Sequence, residues 1–148
     1  VTEIRFYHLQ RSSAEKAVPD LLKKAVERGH KVLFKLPTAS RRQFYDEWLW
    51  RFAPESFLPH AQEGDEADAD HAIWLSTNDN APNQPTMALV AEGAALPDVE
   101  GLLLICNVFD SANQDQARQL WATLKNQKDL TLTYWKQQDN GGWLQENK

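Results

Sequence analysis

Four histidines, one cysteine, the pair Ser12 and Ser13, and sixteen cationic side chains are the residues of this 148-residue chain whose types could act on a substrate. His8, His30, His60 and His71 never recur at the three- or four-residue spacing that puts two metal ligands on one helix face. Cys106 lies in the apolar run GLLLICNV and reads as a small buried hydrophobe rather than a nucleophile. Ser12 and Ser13 stand where a helix begins and read as entry residues; no serine sits in a nucleophile elbow. After the first apolar run the chain reads YHLQRSSAEKA, without the glycines that let a backbone approach a pyrophosphate, and no P-loop lysine occurs. The glycines of EGAALPDVEG are too far apart to make such a nest. No local motif for catalysis, a metal or a cofactor is present, although groups that converge from distant positions need no local motif.

What remains is the chemistry of recognition, at two places. On the helix that runs into DEWLWRFAPESFLPH, residues 46–60, the side chains Phe44, Tyr45, Trp48, Leu49 and Phe52 fall within an arc of roughly 140°, an ordinary core face. Trp50 lies roughly 170° from the centre of that face. With Pro54, Phe57 and Pro59 in a stiff turn-rich segment just beyond, it forms a candidate apolar patch for another protein. The alternative is that the chain's own acidic loop covers Trp50 and that Phe57 plugs the core. In the second place, Ala117, Leu120, Trp121 and Leu124 define the buried side of a helix, and Gln114, Arg118, Trp121 and Lys125 line its adjoining edge. Cations beside a tryptophan suit a ligand both acidic and apolar, such as a peptide carboxyl terminus. The alternative is a solvated edge with Lys125 favoured by the helix dipole.

The elements that must position these residues follow from pattern. EIRFYHL is a strand, a helix is expected from Pro19 through PDLLKKAVER to Gly29, and KVLFKL, 31–36, is a second strand: a right-handed parallel crossover. A helix spans about 39–52. HAIWLS, 71–76, and MALVAE, 87–92, are strands, flanked by the acidic AQEGDEADAD and the loop NDNAPNQP, both solvated surface. GLLLICNV, 101–108, is apolar throughout, as a strand covered on both faces should be. A helix over about 111–125 precedes LTLTYWK, 130–136, the expected last strand. The fold class is α/β: a single layered domain over 1–148 with a mostly parallel central sheet flanked by helices, resembling nucleotide-binding folds.

The formal charge of -5 and a pI near 5.3 argue against wrapping a nucleic-acid backbone, so contact with DNA is expected to be indirect. One cysteine permits no disulfide framework. No charged-then-apolar leader opens the chain, and no apolar run approaches the roughly 18 residues of a membrane span. A cytoplasmic protein without membrane contact is the expectation.

FYHL, GHKVLFKL and above all YDEWLWRFAPESFLPH resemble the chi subunit family of bacterial DNA polymerase III holoenzyme, and the resemblance runs in order along essentially the whole chain. Its most specific part is W-x-x-x-x-x-SF-x-PH, beginning at Trp50. The resemblance implies a non-catalytic adaptor without cofactor, linking the clamp-loader complex to the acidic, Phe-ended C-terminal tail of single-stranded DNA-binding protein. It also implies that Trp50, Pro54 and Phe57 match the surface used for the psi subunit, which a repair helicase can share. Arg118 matches the basic residue that engages the end of the tail, Trp121 an aromatic beside it, and Gln114 stands where the family often has lysine. The competing readings are a nucleotide-binding α/β enzyme lacking the usual phosphate-loop fingerprint, and a direct single-strand binder using stacked tryptophans.

Overall fold

Helix α1, Ala14–Glu27, begins a turn and a half before the proline expected to open it, because Ser13 already adopts the extended cap conformation and accepts the backbone N–H of Lys16 and Ala17. Pro19 therefore lies inside the helix, where it has no N–H to give the carbonyl four residues back. That carbonyl belongs to Glu15, and the indole Nε1–H of Trp48 donates to it at 2.6 Å. A residue on the next helix thus replaces the bond that the proline removes. Trp48→Phe leaves this acceptor without the indole and is expected to cost about 1–2 kcal/mol. The cost should shrink in a Pro19→Ala background, where the helix supplies its own N–H; a double-mutant cycle in urea measures the coupling.

The computed structural model describes residues 2–10, 12–51, 60–65, 71–140 and 142–146. After β1, Thr2–His8, and α1 come β2, Val32–Lys35, and α2, Ala39–Arg51. Strands β3, His60–Gln62, β4, Ile73–Ser76, β5, Met87–Ala91, and β6, Leu104–Phe109, follow. A 3-10 turn, Ser111–Asn113, leads into α3, Gln114–Leu124, and the last strands are β7, Leu130–Gln137, and β8, Trp143–Glu146. The eight strands form one sheet in the order β3-β4-β2-β5-β6-β1-β7-β8, with every pair parallel except β7 and β8.

Two edge strands depart from the pattern reading. β3 arises in a segment expected to be solvated surface; it is three residues long, too short for any alternation to register. β8 displaces 130–136 as the last strand: the turn around Asn140 and Gly142 folds it back, with Gln138 N–H donating to Gly142 O at 2.7 Å. The strand expected from Gly101 starts only at Leu104, since Gly101 holds φ +81° and Leu103 turns out to solvent. The helix expected from 111 opens as the 3-10 turn, capped by Asp110 Oδ1, which accepts the Ala112 N–H at 2.9 Å.

Alternation along the strands divides the core in two. Tyr7, Val32, Phe34, Leu75, Leu89 and Cys106 face α1 and α2, where Val18, Leu22, Tyr45 and Leu49 pack against them. Ile4, Phe6, Leu33, Val90, Ile105 and Phe109 face the other way, toward Ala117 of α3 and the segment carrying Ala94 and Leu102. Crossovers that leave in opposite directions along the sheet place their helices on opposite faces, as right-handed connection requires. None of the described helices is long and apolar enough to cross a membrane.

Candidate functional site

In an open parallel sheet a ligand is expected outside the carboxyl ends of two neighbouring strands whose connections leave on opposite faces. β1 and β6 are such a pair here, but two backbone donors of the β1–α1 loop, those of Gln10 and Ser12, are already taken. Gln137 Oε1 accepts the N–H of both Gln10 and Ser12 at 3.1 Å, and its Nε2 donates to Ser12 Oγ at 2.8 Å. These two amides hold the buried end of β7 instead of facing a ligand.

The titratable side chains that could do chemistry are dispersed. His8 shares a hydrogen bond of 2.7 Å with the Tyr134 hydroxyl, His30 one of 2.9 Å with Thr86 Oγ1, and His60 lies 3.0 Å from the Asp46 carbonyl. The ring of His71 stands beside Trp74. Burial pushes the Cys106 thiol up to about 12, which keeps it protonated and unreactive at neutral pH.

α3 and the sheet beneath it enclose a cavity of about 230 Å³. Gln114, Arg118 and Trp121, at successive spacings of four and three, form its helical wall, and Phe6, Phe109 and Tyr134 from three neighbouring strands form its floor. Trp121 meets Phe6 edge to face at 5.1 Å and Tyr134 at 6.2 Å. Phe109 meets Tyr134 at 6.1 Å and stacks on the His8 ring at 4.9 Å. Because His8 also bonds to Tyr134, the floor rings are fixed before any ligand arrives. Burial, and to a lesser degree the nearby Glu146 carboxylate, hold the Tyr134 hydroxyl above the usual phenol range, so it stays neutral. At the mouth, the Arg118 side chain is 70% exposed and 3.8 Å from the almost fully exposed Asp115, a pairing too loose to compete with a well-placed carboxylate. The result is an apolar aromatic box with one free-reaching guanidinium on its rim.

Lys125 caps the C-terminus of α3 and is exposed on the same edge, outside the cavity lining. Phe6, Phe109 and Tyr134 were not among the residues singled out from sequence. The alternation of EIRFYHL and LTLTYWK puts Phe6 and Tyr134 each on one strand face, but nothing local says that these faces meet beneath α3.

At the other candidate, Trp50 is 47% exposed, one of three large hydrophobic side chains left in solvent among the described residues. Tyr45 and Leu49 bury the opposite side of α2, with Phe44 and Trp48 packed partly against the core. One face of the Trp50 ring lies 4.2 Å, tilted by 35°, from the ring of His60 in β3. His60 in turn packs against α2 through Asp46, whose carboxyl burial holds above its ordinary range. Pro54 and Phe57 lie outside the described residues, as do Phe52 and Pro59.

The architecture is that of a mostly parallel α/β sheet in which Gln137 bonds two loop amides at the switch point, with an aromatic cavity under its last helix and a half-exposed tryptophan on its second. A comparison with curated proteins gave no match. The model of one family, described as DNA polymerase III chi subunit, HolC, matches residues 1–132, which include Trp50, Gln114, Arg118, Trp121 and Lys125. The chain therefore belongs to the DNA polymerase III chi subunit family, a family of accessory subunits of the replicative polymerase.

Proposed function

We propose that the chain is a non-catalytic adaptor of the replication machinery, joining the clamp-loader complex to single-stranded DNA-binding protein. The tail of that protein, acidic and ended by Phe, enters the α3 cavity. Its terminal ring rests on Phe6, Trp121 and Tyr134, and its carboxylates reach Arg118. The observation that carries this reading is the convergence of an exposed guanidinium and a preset aromatic box in one cavity. Gln114 at the cavity wall offers hydrogen bonds but no charge, so Arg118 supplies the main electrostatic hold. Binding of a labelled acidic, Phe-ended peptide, measured by fluorescence polarisation at two salt concentrations, tests the reading. Salt-sensitive, saturable binding supports it; no binding removes the tail as the occupant.

The second surface is Trp50 with Pro54 and Phe57, the docking site for psi or another polymerase-associated protein. Support comes from the Trp50 ring, which is half-exposed and lies against His60. Trp50→Ala is expected to change the stability of the isolated chain by less than about 1 kcal/mol, since the side chain keeps much of its hydration in the fold. The same substitution should weaken a psi-like partner by about 2 kcal/mol or more, as a central aromatic anchor does. Melting curves and titration calorimetry on the same variant separate the two effects.

The nucleotide-enzyme reading is weakened at the sheet's switch point, because Gln137 occupies two of the loop amides that such an enzyme would direct at phosphate. A thermal-shift screen with nucleotides is the direct check, since any ligand of the folded state raises the melting temperature.

A further inference from the structure

On the face of the sheet opposite the α3 cavity lies a second groove, of about 210 Å³. α1 packs on β2, β5 and β6, and between it and the β7–β8 end the sheet carries Tyr7, Trp135 and Trp143. Tyr7 stacks with Trp135 at 6.0 Å and meets Trp143 edge to face at 4.8 Å. Trp135 is fixed from two sides. Its Nε1–H donates to Thr133 Oγ1 at 2.9 Å, and the Arg5 guanidinium lies 5.2 Å from its ring centroid. Arg5 is itself held by Glu3 at 2.9 Å and by the Tyr7 hydroxyl at 3.1 Å. The facing wall is Lys24 and Arg28 of α1 and its end, both exposed and with no ion-pair partner among the described residues.

We propose that this groove binds single-stranded nucleic acid, with a base against Trp143 and Trp135 and neighbouring phosphates on Lys24 and Arg28. A preset aromatic wall facing a rail of cations is the arrangement that holds single strands without reading their sequence. Aromatics on a sheet surface are also how bases are received in single-strand modules. Lys24 and Arg28 are one helical turn apart, about 6 Å between their Cβ atoms, a spacing suited to successive phosphates of an extended strand. A duplex cannot use the site, since its bases are stacked away from the wall. The net charge of -5 gives no long-range attraction, so the contact is local and weak, and acts on a strand already held close by the rest of a replication complex. Trp135 and Trp143 both lie beyond the residues matched by the family model, and the groove is independent of the peptide reading of the α3 cavity.

The test is fluorescence anisotropy of a short labelled oligothymidylate at low salt, with wild type, the double variant Lys24→Glu/Arg28→Glu, Trp143→Ala and Arg118→Ala, each checked for an unchanged melting transition. Wild type should bind with a log–log salt slope of about -1.4, or -0.7 for each of two phosphates. The charge reversal should abolish binding, Trp143→Ala should weaken it about tenfold, and Arg118→Ala should leave it unchanged. Absence of wild-type binding, equal binding by the charge-reversed variant, or equal binding of a duplex overturns the proposal. So does an acidic, aromatic peptide that needs Lys24 and Arg28 when oligothymidylate does not bind, which would make the groove a peptide site.

Discussion

Arg118→Ala is expected to weaken an acidic, Phe-ended peptide by about ten- to a hundred-fold while leaving the melting temperature unchanged. A hydrogen bond to a charged group contributes roughly 1.5–3 kcal/mol, which is that range in affinity. Because the guanidinium is 70% exposed before binding, the lower half of the range is the better expectation. Stability should not move, since the contact with Asp115 at 3.8 Å is solvated on both sides. Arg118→Lys keeps the charge but not the planar fork, and should fall between wild type and alanine. Raising the salt should narrow the difference between wild type and alanine, because part of the attraction is screened. Lys125→Ala, on the same helix edge but outside the cavity, should cost no more than a few-fold through long-range attraction. Equal losses at Arg118 and Lys125 would mean that the helix attracts acidic peptides by general charge, and the cavity would lose its role. Fluorescence polarisation with one peptide and four proteins decides between these outcomes.

Phe6→Ala should be the most destabilising of the substitutions considered, at about 3–5 kcal/mol. Phe6 is 1% exposed in a central strand and touches Phe109 at 6.5 Å and Trp121 at 5.1 Å. Its removal opens a hole under α3, a helix that buries Ala117 and packs Leu120, Trp121 and Leu124 partly against the same core. At about 3 °C per kcal/mol for a chain of this size, the melting temperature should fall by about 10–15 °C. Such a variant cannot report cleanly on binding, so Phe6→Leu is the informative partner. It retains most of the volume, should cost about 1 kcal/mol in stability, and removes a ring from the cavity floor. Peptide affinity that drops in Phe6→Leu, with the fold intact by calorimetry, assigns the floor rings a part in binding. Unchanged affinity would restrict Phe6 to the core.

How much could be read in advance differs from element to element. β2, β4 and β5 were legible because each is a short run of apolar residues between turn signals, and such runs need both faces covered. α2 was legible from the spacing of Tyr45 and Leu49 on one side and Trp50 on the other, and the exposure of Trp50 follows from that same local geometry. α1 was found but misplaced at its start, because Pro19 was taken for the usual first-turn proline. What lets it stand inside the helix is Trp48, twenty-nine positions later.

The sequence by itself determined the α/β class, the order of most elements, the exposed edge of Trp50 and the pairing of Arg118 with Trp121 on one helix side. All of these rest on periods of two or three to four residues within a single segment. Only the tertiary structure decided that Phe6, Phe109 and Tyr134 meet beneath α3, that Gln137 bonds two amides of the β1–α1 loop, and that Tyr7, Trp135 and Trp143 line one groove. Each of these joins residues more than a hundred positions apart, and each depends on β1 lying between β6 and β7. Strand order is set by the summed burial of both sheet faces and by the handedness of the crossovers, quantities that no single segment of the chain carries.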